Sequence, residues 1–87
     1  MQQPAIASLV RELRSTMQLS QEKFADELGM TFATINRWEN GHATPSPLAL
    51  KQIETLLNQL SQSADATLRQ RSQTLQGKYF PNRELNA

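Results

Sequence analysis

The stretch LSQEKFADELGMTFATINRWENG, Leu19 to Gly41, decides how this chain folds. Phe24, Ala25 and Leu28 fall on one side of a short helix that Ser20 is placed to cap. A hydroxyl there accepts one of the orphan N–H groups of the first turn. Lys23 stands where a capping box wants Glu or Gln, so the cap is one-sided. Gly29 then closes the helix in the left-handed region without steric cost. Thr31 caps a second helix running to about Glu39, with Ile35 and Trp38 facing inward and Asn40-Gly41 ending it. Two short amphipathic helices across a glycine turn share their apolar faces, and Ala25 is small where they come closest. On a helical wheel Phe32, Ala33, Asn36 and Arg37 then project outward, with Thr34 beside them.

Helices flank this pair on both sides. Ile6, Leu9, Val10, Leu13 and Met17 form one stripe of a helix from about Pro4 to Met17, and Pro4 suits a first turn, where its missing N–H costs nothing. After the HATPSP loop, Ser46-Pro47 reads as an N-cap followed by proline at the first helical position. Leu50, Ile53, Leu56, Leu57 and Leu60 give that helix its apolar face. Nothing reads as a strand and no repeat is present. From Ser61 onward the chain is rich in Gln, Ser, Thr and Asn. Ala64, Leu68 and Leu75 continue from Leu57 and Leu60 at roughly heptad spacing, and Gly77 and Pro81 are expected to stop any helix there. The spacing leaves two readings open for 61–87: a partly helical segment or a flexible polar tail.

Composition bounds the rest. At 87 residues this is one small domain with an extension, and 38% hydrophobic content suits a compact helical core. No run approaches the roughly 18 apolar residues of a membrane span, and no signal-peptide pattern follows Met1. The absence of cysteine excludes disulfides and thiolate metal sites. No phosphate-cradling glycine loop, paired metal-ligand set or nucleophile–base constellation appears, so neither an enzyme nor a cofactor or metal protein is expected. His42 reads as a solvated loop residue, and Glu22, Asp26 and Glu27 as a solvated helix face. Net charge does not nominate a polyanionic partner. The first sixty residues carry Arg11, Arg14, Lys23, Arg37 and Lys51 against Glu12, Glu22, Asp26, Glu27, Glu39 and Glu54, a balance of −1. The excess of +2 lies beyond them, with Arg69, Arg71, Lys78 and Arg83 against Asp65 and Glu84.

Local placement therefore carries the functional reading. A helix-turn-helix braces one helix on the DNA backbone and offers the side chains of the other to the major groove. The residues Leu13-Arg14, Leu19-Ser20-Gln21-Glu22, Phe24-Ala25, Leu28-Gly29, Ile35, Trp38-Glu39-Asn40-Gly41 and Pro45-Ser46-Pro47 resemble the Cro/C1-type helix-turn-helix domain, the XRE family of phage-repressor-like regulators. The resemblance covers about Ile6 to Leu60, which places the domain at 4–60 and the helix-turn-helix proper at about 20–40. It implies an all-α, lambda-repressor-like bundle of four or five helices, with 61–87 as a polar C-terminal extension. It further implies a homodimer on double-stranded DNA, acting in transcription regulation, with repression the commoner outcome, in the cytoplasm on the nucleoid.

Carried over to this sequence, the resemblance makes Gln21 a phosphate contact and Phe32, Ala33, Thr34 and Arg37 base-reading positions, with Thr31 and Asn36 beside them. Asn40 and His42 match phosphate-facing positions, and Arg14 and Glu39 match a partly buried ion pair between the first and third helices. Phe32 and Ala33 depart from the pattern, because many relatives carry hydrogen-bonding side chains there. Apolar side chains can touch a thymine methyl but give no bidentate base contact, which leaves Arg37 as the main specific reader. The rival reading is a protein-interaction module or antitoxin using Phe32, Trp38 and the Lys78-Tyr79-Phe80 segment of the extension on a protein partner.

Overall fold

The computed structural model describes residues 3–81. Five helices follow in order among them: α1 (Gln3–Met17), α2 (Gln21–Leu28), α3 (Phe32–Glu39), α4 (Pro47–Leu60) and α5 (Ala66–Tyr79). Their starts are set locally. Ser20, Thr31, Ser46 and Asp65 each sit in extended backbone and accept the N–H three residues on, the N-cap geometry that serine, threonine and aspartate favour. Pro47 occupies the first turn of α4 and Pro4 the first turn of α1, as expected.

The core is a single cluster to which every helix contributes. Leu9, Val10 and Leu13 come from α1, Phe24, Ala25 and Leu28 from α2, and Ile35 and Trp38 from α3. Ala49, Ile53 and Leu57 come from α4, and Leu75 from α5. The expected stripes are therefore the packed ones, with Ala49 an addition that its small side chain concealed. α3 packs on α1 and α2, while α5 packs on both α1 and α4. No helix of the described residues is long and apolar enough to cross a membrane.

Two helix ends differ in what closes them. Gly29 ends α2 at φ 69°, and the Met30 N–H donates to the Ala25 carbonyl at 2.8 Å, a Schellman-type closure. α1 is closed in a similar way by Gln18, a non-glycine residue at φ 58°, with the Leu19 N–H donating to the Arg14 carbonyl at 3.1 Å. That left-handed conformation costs an ordinary L-residue about 1–2 kcal/mol.

The segment after Ser61 takes the partly helical of its two readings, with two departures from the expected spacing. A separate helix forms and packs on this chain's own α1 and α4. It runs through Gly77 to Tyr79 instead of stopping there. Ala64 is exposed in the turn before it, so the heptad continuation does not hold at that position. Polar contacts explain the outcome. Only Ser72 and Leu75 of α5 are fully buried. The Gln73 side chain donates to the Ser61 carbonyl at 3.1 Å and Arg69 to the Ser63 carbonyl at 2.8 Å. At the far end Lys78 Nζ and the Tyr79 hydroxyl both donate to Glu12 Oε2, at 3.0 and 2.8 Å, which holds the last turn past the glycine. The positions 82–87, with Arg83 and Glu84, lie outside the described residues.

Candidate nucleic-acid interface

α3 is positioned through its buried side. Ile35, Trp38 and Glu39 are turned into the domain, and Glu39 is only 3% exposed although it is charged. A buried carboxylate persists only when paired and hydrogen-bonded. Arg14 meets it with two parallel bonds, Nε to Oε2 at 2.7 Å and Nη2 to Oε1 at 3.0 Å. The expected ion pair is thus present, and hydrogen bonding to Glu39 pushes the Arg14 pKa up. Two further partners were not foreseen. Gln21 Nε2 donates to Glu39 Oε1 at 3.0 Å, and Arg11 Nη2 donates to the Glu39 backbone carbonyl at 2.8 Å. Arg14 Nη1 also reaches the Leu19 carbonyl at 3.1 Å. One carboxylate therefore joins α1, the first residue of α2 and the last turn of α3, and fixes how α3 is presented.

Gln21 was expected to face phosphate. Its amide nitrogen has a partner inside the domain, and the side chain is half-buried. The only sequence signal for this was the proximity of Gln21 to the Ser20 cap, which says nothing about a carboxylate 18 residues away.

The outward side of α3 carries Phe32, Ala33 and Arg37, all exposed, with Thr34 and Asn36 half-buried between them. Most of its polar groups are paired with each other. The Thr31 oxygen accepts the Thr34 N–H at 3.2 Å, and its hydroxyl donates to Thr34 Oγ1 at 3.0 Å. Asn40 Nδ2 donates to Asn36 Oδ1 at 2.7 Å. Arg37 makes no side-chain hydrogen bond or ion pair to the described residues. His42 is exposed in the following loop, where its backbone N–H closes the helix end on the Arg37 carbonyl at 2.9 Å. Phe32, 51% exposed, forms one wall of an open hollow of about 660 Å³ whose other walls are Arg14, Ser20, Gln21 and Glu22. The face can thus offer one free guanidinium, an apolar patch, and the backbone N–H groups that begin α2 and α3.

The surface imagined for a protein partner does not assemble as expected. Trp38 is 4% exposed and belongs to the core. Lys78 and Tyr79 are engaged with Glu12, and Phe80 packs against the core.

A helix-turn-helix family model matches residues 10–61, well over half of the chain, and the chain belongs to that family, the Cro/C1-type helix-turn-helix domains. The match spans the buried carboxylate, the turn and the exposed face of α3 together. The chain is also similar to the type II methyltransferase M.SsoII of Shigella sonnei, 37% identical over 51 residues. That alignment takes in 55% of this chain and only 14% of the methyltransferase. No solved structure matches the chain significantly.

Proposed function

We propose that this protein is a sequence-specific regulator of transcription that binds double-stranded DNA as a homodimer and acts by occupying its site, repression being the expected outcome. The observation that carries the reading is the two-sidedness of α3. Its inner side is locked by Ile35, Trp38 and the Glu39 network, and its outer side keeps Arg37 exposed and without a side-chain partner among the described residues. In this arrangement α3 lies in the major groove with Arg37 bidentate on a guanine edge, worth about 1–3 kcal/mol against a wrong base. Backbone N–H groups at the starts of α2 and α3, with Asn40 and His42, face phosphates. The half-sites of a two-fold operator would lie about one helical turn apart. The proposed activity is binding and not catalysis, and its place is the cytoplasm, on the nucleoid.

Selection from random duplexes, followed by anisotropy titration across a salt series, tests the proposal. The expected result is one enriched two-fold motif, with log K falling linearly against log salt. Arg37→Ala should flatten discrimination at one base pair and leave the helical content intact. If no motif is enriched, the protein is instead an interaction module.

A further inference from the structure

We propose that the outer face of α3 reads a pyrimidine C5-methyl group lying next to a guanine, through Phe32 and Ala33 on the methyl and Arg37 on the guanine. This rests on the DNA-reading function proposed above and specifies its chemistry. Half of Phe32 is exposed, a cost that burial against a partner would relieve. Ala33 is exposed one helical turn before Arg37 on the same side, a separation of about 6 Å along the helix axis. That equals one to two base steps of about 3.4 Å.

The remaining side chains of the face narrow what it can read. Asn36 is half-buried and its Oδ1 already accepts from Asn40 at 2.7 Å, which holds the amide toward Asn40 and leaves that oxygen one lone pair for an adenine. Thr31 and Thr34 are bonded to each other. The side chains of this face with no partner at all among the described residues are one two-pronged donor, Arg37, and the apolar pair Phe32 and Ala33. On base edges in the major groove the two-pronged donor matches guanine O6 and N7, and the apolar group available is the C5-methyl of thymine. 5-Methylcytosine carries the same methyl group on the same ring carbon, so this face would accept either pyrimidine.

The test uses the selected duplex and the full-length protein. Each thymine is replaced singly by uracil, which removes only the methyl. In a parallel arm, each thymine–adenine pair is replaced by cytosine–guanine with and without cytosine C5-methylation. Wild-type protein should lose about fourfold in affinity at one or two uracil positions beside the guanine read by Arg37, the factor that burying one methyl-sized group provides. Phe32→Ser, whose circular dichroism should match wild type, should show a smaller loss at those positions, since only the Ala33 contact to the methyl remains. Recovery on cytosine methylation supports the proposal and admits both pyrimidines; a uracil effect without recovery supports it with thymine as the source. If no uracil position matters while Arg37→Ala still erases specificity, the inference is overturned and DNA reading stands. Failure to select any motif overturns both. If Phe32→Ser leaves DNA affinity unchanged but splits a dimer in sedimentation velocity, the residue is a protein contact and the inference is also overturned.

Discussion

Replacing Arg14 with methionine isolates what it costs to leave the Glu39 carboxylate without its paired donors. The Glu39 side chain is 4% exposed and that of Arg14 26%. Removing one member of a buried pair typically costs about 3–5 kcal/mol, because the other charge stays desolvated. Three features here reduce that figure. Gln21 Nε2 still donates to the carboxylate at 3.0 Å, Arg11 Nε lies 4.0 Å from it, and water reaches the Arg14 side of the pair. About 3 kcal/mol is then expected, a large share of the roughly 4–13 kcal/mol that stabilises a chain of this size. Urea unfolding followed by the fluorescence of the single, buried Trp38 reads the effect directly. With a slope of about 1 kcal/mol/M the midpoint should fall by about 3 M. The double variant Arg14→Met/Glu39→Leu removes both charges and should return to within about 1 kcal/mol of wild type. A loss below about 1 kcal/mol for Arg14→Met alone, or no recovery in the double variant, would refute the claim that a desolvated carboxylate organises this domain.

The two left-handed helix ends should respond in opposite directions. Gly29→Ala meets no atom within 4 Å of its new Cβ, so only the backbone at φ 69° is penalised, by about 1–2 kcal/mol in thermal unfolding. Gln18→Gly should gain up to about 1 kcal/mol by the same reasoning. Ser72 is fully buried and its hydroxyl is unpartnered among the described residues. Ser72→Ala should therefore add about 1 kcal/mol, raising Tm by roughly 4–8 °C in calorimetry. Acid should loosen α5. Hydrogen bonds from Lys78 and Tyr79 hold the Glu12 carboxyl below its ordinary value of 4.5, so its contribution is present above pH 4.5 and is lost as pH falls through the lowered value. The Glu12 and Lys78 side chains are 39% and 54% exposed, so the effect is small and screened by salt. A Tm profile between pH 6 and 3 should flatten over that step in Glu12→Gln.

The sequence by itself determined most of the caps and the central turn, which are decided within a few residues. Ser20, Thr31 and Ser46 cap because a hydroxyl reaches the N–H three positions on, whatever else the chain does. Gly29 turns because it alone lacks the Cβ that penalises positive φ. Stripes at helical spacing name the core, and the residues left over on α3 name the exposed face. The Arg14–Glu39 pair was legible only through resemblance, since 25 residues separate its members. Tertiary structure decided the rest. It gave the Glu39 network Arg11 and Gln21, and it folded α5 back onto α1 and α4. α5 was the hardest to foresee because it docks through polar groups with only two residues fully buried, a pattern periodicity cannot register. Its anchor on Glu12 spans 66 and 67 residues, a contact that exists only once the bundle has closed and brought the two ends together. Local chemistry shaped the helices and the turn, and burial of a single carboxylate decided how α3 is presented.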